Sequence, residues 1–388
     1  MAASLQWTVN ALRRLKEEGL ERRLRVLPNT GGRLAVDGQA LLNFASNDYL
    51  DLSHHPALLD AARQALDTYG TGATASRLMC GHLACHEALE QALASFKGYE
   101  AALVFGSGYM ANVGMIPALV ERGDWIVADR LAHASILDGA ILSRAELRRF
   151  HHNDPAHLEQ LLKQRPTSSR CLVVTESVFS MDGDLAPLKT IADVCERYGA
   201  MFLVDEAHAT GVFGPCGEGV VSSQGLQAAV PLVMGTFSKA MGGYGGFTTC
   251  SSFVKPWFVN RARSFIFSTG LPPAVIGTAQ GALDYLRHHP GLGVELLERA
   301  ARFRQRLVTA GFDVGTSASQ IVPLRVGDAI QATALSDALR QQGILAPAIR
   351  PPTVRPGTSR LRFSVTLAHT DGDLDRVVDA LVSLRSGA

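Results

Sequence analysis

A chain of 388 residues is long enough for two domains, and 47% apolar residues against 19% charged ones describe a globular protein with a large core. Lysine plus arginine number 37 and aspartate plus glutamate 36, so no global field draws the chain to nucleic acid or to an anionic membrane surface. Small-molecule chemistry is the expectation that survives these exclusions. The cysteines, at positions 80, 85, 171, 195, 216 and 250, form no CxxC pair and no zinc spacing, and read as reduced thiols packed in the core.

The N-terminal stretch MAASLQWTVNALRRLKEEGLERRLR is amphipathic and charged and lacks the continuous apolar centre of a signal peptide. No later segment is a membrane-spanning run, so a cytoplasmic location is expected. Apolar positions at helical spacing predict a helix over residues 4–25, ending before Pro28. RLAVDGQALLNF predicts a short hairpin turning at Asp37 and Gly38.

From about residue 57, strand-like runs alternate with helical stretches: AALVF, WIVAD, CLVVTE, MFLVDE and PLVMGTF are separated by segments such as LAPLKTIADVCERYG. That rhythm predicts crossover units building an α/β domain on a mostly parallel sheet. Beyond Pro272 and Pro273 come a long helical region containing VELLERAARFRQRLVTAGF, the strand candidate IVPLRV, a helix and RLRFSVTL, which fit a smaller α+β domain. The expected organisation is a helix and hairpin segment over 1–44, a large α/β domain over 45–280 and a small C-terminal domain over 281–388.

In parallel sheets ligands bind beyond the carboxyl ends of the strands, and here those ends carry GSGYMAN, RLAHAS, SVFSMDGD, DEAHATG and SKAMGGYGG. GSGYMAN can cradle a phosphate, although it lacks the third glycine of a dinucleotide fingerprint and no GxxxxGK[ST] occurs anywhere. Asp205 closes an apolar strand, where a carboxylate is costly unless it faces a cation or several donors. Lys239 ends another strand, where a desolvated amine becomes a nucleophile toward carbonyls. Metal binding by Asp205, His208 and His133 lacks a recognised ligand spacing, and no metal is expected. The pairs His54–His55, His151–His152 and His288–His289 read as solvated loop residues. An acid at one strand end, histidines at two others, a glycine turn and Lys239 together point to pyridoxal phosphate chemistry: the lysine holds an aldehyde cofactor as a Schiff base and the aspartate pairs with its ring nitrogen.

Eight motifs carry a resemblance over nearly the whole chain: NFASNDYLDLSHHP, GSGYMAN, DRLAHASILDG, TESVFSMDGDLAPL, VDEAHATGVFG, TFSKAMGGYGG, FIFSTGLPP and IRPPTVRPGTSRLRFS. With these the sequence resembles the α-oxoamine synthases, fold-type I enzymes dependent on pyridoxal 5′-phosphate. The resemblance implies that fold and a decarboxylative condensation of an amino acid with an acyl thioester, carried by coenzyme A or an acyl carrier protein. IRPPTV and GTSRLR resemble the branch that uses L-alanine and a pimeloyl thioester; sister branches use glycine, serine or other acyl chains. An aminotransferase or lyase of the same fold would share Lys239 and Asp205 but leaves the C-terminal motif without a purpose.

At matching positions the resemblance implies roles. Lys239 is the covalent anchor, Asp205 the partner of the pyridinium nitrogen and His133 the residue stacked on the ring. His208 and Ser180 contact the region of the phenolic oxygen, and Gly108, Tyr109, Thr236 and Ser238 lie near ring or phosphate. Thr269 reaches the phosphate of a neighbouring subunit's cofactor, which implies a homodimer with sites at the subunit interface. Asn47 and Arg362 bind the amino acid carboxylate, with His133 also facing substrate. Thr353 and an arginine of ERRLR, Arg22 or Arg23, touch the acyl substrate. Arg355 stands where the family has proline, Gly270 where alanine or serine is common and Cys80 where serine is frequent; the first, beside Thr353, bears on acyl specificity.

Overall fold

The apolar runs leave no room for a polar face, and the strands they form are buried almost along their whole length. A strand covered on both faces needs continuous apolar sequence, which is what distinguishes these segments from the alternating pattern of a half-exposed sheet. The structure, a computed structural model, describes residues 5–22, 24, 26–28, 31–36 and 38–386. In chain order the strands are β1 (Arg33–Val36), β2 (Gln39–Asn43), β3 (Ala101–Phe105), β4 (Trp125–Asp129), β5 (Glu146–Phe150), β6 (Cys171–Glu176) and β7 (Met201–Asp205). They continue with β8 (Leu232–Thr236), β9 (Gly246–Cys250), β10 (Ile321–Gly327), β11 (Ile344–Leu345), β12 (Ala348–Ile349) and β13 (Ser359–Ser364).

Contacts divide the chain into two units, one of Asn47–Ser180 and Asp184–Glu298, the other of Met1–Ser46, Met181–Gly183 and Arg299–Ala388. The first is built on a sheet in the order β3-β9-β8-β7-β6-β4-β5, in which only β9 runs against its neighbours. On one side Leu103, Met115, Ile116, Ile126, Ile136, Leu172 and Leu203 form a core less than 2% exposed, with the Gly108–Leu119 and Ala134–Ser143 helices packed over the strands. The second unit holds two short sheets, β1-β2-β11 and β10-β13-β12.

The expected division after residue 280 is corrected. Residue 280 lies inside the Pro273–His288 helix, where a Cβ on Gly277 would stand 2.5 Å from the Ala61 carbonyl oxygen, so the whole helix belongs with the Pro56–Tyr69 helix of the sheet unit. The N-terminal hairpin is no separate segment either, because β2 pairs in parallel with β11, Leu42 opposite Ile344. The N-terminal helix is shorter than its periodicity suggested, Gln6–Glu17, and closes in a Schellman motif: Leu20 N–H donates to Leu15 O at 2.8 Å and Gly19 N–H to Lys16 O at 3.1 Å, with Gly19 at φ +66°. The hairpin joins Val36 to Gln39 across Asp37, which lies outside the described residues, and Gly38 at φ +77°. Of the cysteines only 171, 195 and 250 are buried, and Cys80 is exposed, correcting the expectation of a common core role. No helix among the described residues is long and apolar enough to cross a membrane.

Candidate active site

Because β3, β4, β6, β7 and β8 all point the same way, the residues following them meet at one edge of the sheet. They enclose a cavity of about 240 Å³ whose wall includes Gly108 and Tyr109 after β3, His133 after β4, Glu176 ending β6, Asp205 ending β7 with His208 beyond it, and Thr236 ending β8 with Ser238 and Lys239 beyond it. Eight of the positions expected from the sequence are thus brought to one wall by topology alone.

Asp205, buried, accepts hydrogen bonds from Asn112 Nδ2 at Oδ2 and from the Ala207 N–H at Oδ1, each at 2.9 Å. Asn112 Nδ2 also donates to Ser135 Oγ at 2.9 Å, and Ser135 Oγ lies 2.8 Å from His133 Nδ1. His133 caps the helix it precedes by accepting the Ser135 N–H at Nδ1, 3.2 Å away, which leaves the ring proton on Nε2. Burial lowers the His133 pKa more than neighbouring Asp205 restores it, so the imidazole is neutral near pH 7. His208 is oriented from the other side by Tyr49, whose hydroxyl is 2.7 Å from His208 Nδ1 and donates to Asn47 Oδ1 at 3.1 Å.

Lys239 stands on a turn that glycine makes feasible. The chain leaves β8, folds back and enters β9, with the Phe237 N–H bonded to Gly245 O at 3.0 Å and the Gly242 N–H to Lys239 O at 2.9 Å. Gly242 has φ +62°, and a Cβ there would lie 2.6 Å from the Ser53 nitrogen, so only glycine keeps the lysine at this wall. Opposite, Ser107 caps the Gly108–Leu119 helix by accepting the Met110 N–H at 3.1 Å. The first amides of that helix face the cavity, with a Cβ on Gly108 projecting to 3.5 Å from Thr236 Cβ, while Thr236 Oγ1 and Ser238 Oγ lie 2.8 Å apart.

The remaining expected residues are not among the described residues that line this cavity. Ser180, half-buried, and Thr269 are not among the described residues lining it; Thr269 forms an isolated bridge with Ser76. In the other unit, Arg22 Nη2 donates to Thr353 Oγ1 at 3.5 Å, bringing two of the acyl candidates together, whereas Arg23 lies outside the described residues. Arg362, buried in β13, donates to Ser364 Oγ at 2.8 Å. Three participants were not anticipated: Asn112, Ser135 and Glu176. Glu176 is buried with Oε1 lacking a protein partner, and burial, reinforced by Asp205 opposite it on β7, holds its carboxyl well above the usual range. Its place at the end of CLVVTE was the available signal. Two expectations are corrected: His288 ends the Pro273–His288 helix rather than lying on a loop, and His152 is no solvated loop residue but sits between Asp129 and Asp184.

An amine, a hydrogen-bonded carboxylate, a neutral imidazole, and a helix N-terminus beside two hydroxyls are the groups that a phosphorylated pyridine aldehyde requires. The buried, partnerless oxygen of Glu176 in the same wall shows that the cavity is built for a polar occupant. Residues 39–381 match the family described as Aminotransferase class I and II. A protein of Geobacter sulfurreducens named 8-amino-7-oxononanoate synthase is 48% identical over 376 residues, 96% of each chain. Serine palmitoyltransferase from S. paucimobilis, solved with a bound PLP–myriocin aldimine, superposes with a TM-score of 0.92 at 32% identity, covering 100% of this chain and 98% of that one. A crystal structure of 8-amino-7-oxononanoate synthase from Francisella tularensis gives a TM-score of 0.78 at 28% identity over 89% of this chain and 98% of its own. The chain belongs to the aminotransferase class I and II family and, within its fold-type I enzymes, to the α-oxoamine synthases.

Proposed function

We propose that this enzyme condenses L-alanine with a pimeloyl thioester of coenzyme A or an acyl carrier protein, releasing carbon dioxide and the free thiol and leaving 8-amino-7-oxononanoate. The observation that carries the reading is the meeting of Lys239 and Asp205 in one cavity, in a chain 48% identical over 96% of its length to a protein of that name. Bound in this cavity, pyridoxal 5′-phosphate supplies an electron sink beside the α-carbon of the amino acid. Lys239 would hold it through Nζ, and the same amine would be the base that takes the α-proton. Asp205, oriented by Asn112 and the Ala207 amide, would pair with the cofactor's ring nitrogen and favour its protonated form. The amides at Gly108 and Tyr109, with Thr236 and Ser238, serve the phosphate, and His208 and Ser180 the phenolic oxygen.

His133, with its proton on Nε2, would face the cofactor's ring and would donate to the oxyanion developing on the thioester carbonyl; one such donor is worth about 3 kcal/mol of barrier. Asn47 and Arg362 take the amino acid carboxylate, Arg22 and Thr353 the acyl substrate. Thr269, away from its own chain's cavity, serves the site of a second copy in a homodimer.

The test begins with colour. Purified protein with the cofactor should absorb in the visible, borohydride should fix the added mass on Lys239, and Lys239→Ala should abolish both; colourless wild type that cannot be reconstituted rejects the reading. Alanine with pimeloyl thioester should yield the amino ketone by mass. The close superposition on serine palmitoyltransferase supports a second reading, with serine and a longer acyl thioester, and a serine-derived product would select it.

A further inference from the structure

His152 stands between two carboxylates. Its Nδ1 lies 3.0 Å from Asp129 Oδ1 and its Nε2 2.7 Å from Asp184 Oδ2. With an acceptor at each nitrogen the ring carries both protons and is a cation. The two carboxylates outweigh the cost of burial and raise its pKa to about 10.

Each carboxylate belongs to a different site-bearing segment. Asp129, fully buried at the end of β4, accepts the Leu131 N–H at 2.8 Å and the Asn153 N–H at 2.9 Å, and its carbonyl accepts the Ala132 N–H at 3.1 Å. That turn delivers His133. Asp184 lies across from the segment that follows Glu176: the Phe179 N–H donates to Asp184 O at 3.1 Å, Val178 bridges to Leu185, and the His152 ring meets Phe179 edge-on with centroids 4.3 Å apart. Asn153 Nδ2 completes the junction, donating to Asp184 Oδ2 at 2.9 Å and Leu185 O at 3.1 Å.

We propose that His152 is a positioning residue for the active site, a cation that fastens the His133 turn to the Glu176–Ser180 segment so that both face the cofactor in one fixed geometry. Without it, Asp129 and Asp184 repel across the seam, and the two segments lose their common anchor. The role rests on reading the cavity as the cofactor site.

Full-length wild type, His152→Ala and His152→Gln are stripped of cofactor, compared by amide hydrogen exchange, and then titrated with pyridoxal 5′-phosphate while absorbance, kcat and KM are followed. The clamp requires faster exchange at residues 130–135 and 177–180 with unchanged exchange in β6 and β7. It also requires a half-saturation for cofactor raised about tenfold or more in His152→Ala, a smaller rise in His152→Gln, and recovery of His152→Ala by added imidazole. Wild-type exchange and cofactor affinity in both variants would overturn it, as would loosening spread evenly over the sheet with cofactor affinity intact. Should His152→Ala fail to fold, His152→Gln decides by the same readings. Failure of wild type to bind the cofactor would sink the cavity's assignment instead, leaving the exchange pattern to judge whether the clamp exists.

Discussion

Asn112 illustrates how much of this site rests on a residue that touches no reacting atom. Its amide is shared between Asp205 and Ser135, so it ties the carboxylate to the His133 cap. Hydrogen bonds to a charged acceptor are worth about 1.5–3 kcal/mol. Asn112→Ala should therefore weaken cofactor binding by roughly tenfold or more, measured by equilibrium titration, while Asn112→Asp should do worse by setting two acids together. His152 permits a pH prediction with a definite sign. Its folded pKa, about 10, lies above the ordinary 6.5, so the stability it contributes is complete below pH 6.5 and disappears as pH rises through 10. The difference in thermal midpoint between wild type and His152→Gln should be largest just below pH 6.5, shrink as pH rises from there and vanish above pH 10; a constant difference would mean that charge plays no part.

The strands explain both what the sequence disclosed and what it concealed. AALVF, WIVAD, CLVVTE, MFLVD and LVMGT announce themselves because a doubly covered strand must be apolar throughout, and the residues just past them are the site. β5, ELRRF, went unread because it is an edge strand whose charged side chains reach solvent. β9, GFTTC, was hidden by its glycine and threonines, although every residue in it is buried. Its glycine has a steric reason: a Cβ on Gly246 would stand 2.5 Å from the Gly108 nitrogen. Gly246→Ala should thus push the start of the Gly108–Leu119 helix outward from the cavity and lower cofactor affinity more than it lowers the melting temperature. Leu203 on β7 is fully buried, and Leu203→Ala should cost about 2–5 kcal/mol in chemical denaturation. Asn112 stayed invisible for a different cause: its importance comes from Ser135 and Asp205, partners distant in sequence, which no local pattern encodes.

For the molecule as a whole, the division into units cuts across the order of the chain. The first strands belong with the last: Phe44 stacks on His369 at 4.0 Å and meets the Phe363 ring edge-on at 5.5 Å. The sequence displayed both ends but not their association, since pairing of β2 with β11 spans some 300 residues. Deleting residues 1–46 should therefore behave as a core lesion, exposing Phe303 and Phe363 and producing aggregation or dye binding, whereas removal of a mere appendage would leave the melting curve unchanged.

The reversed strand has a bearing on biosynthesis. β3 is the first of its sheet to be made, yet its sole neighbour there, β9, is the last. On the ribosome the earlier strand must wait through nearly 150 codons as an apolar orphan, and Lys239 emerges just ahead of the segment that ends the wait. A stalled nascent chain halted before Gly246 should accordingly be a client of chaperones that bind unpaired strands, and should be released from them once Cys250 has cleared the exit tunnel.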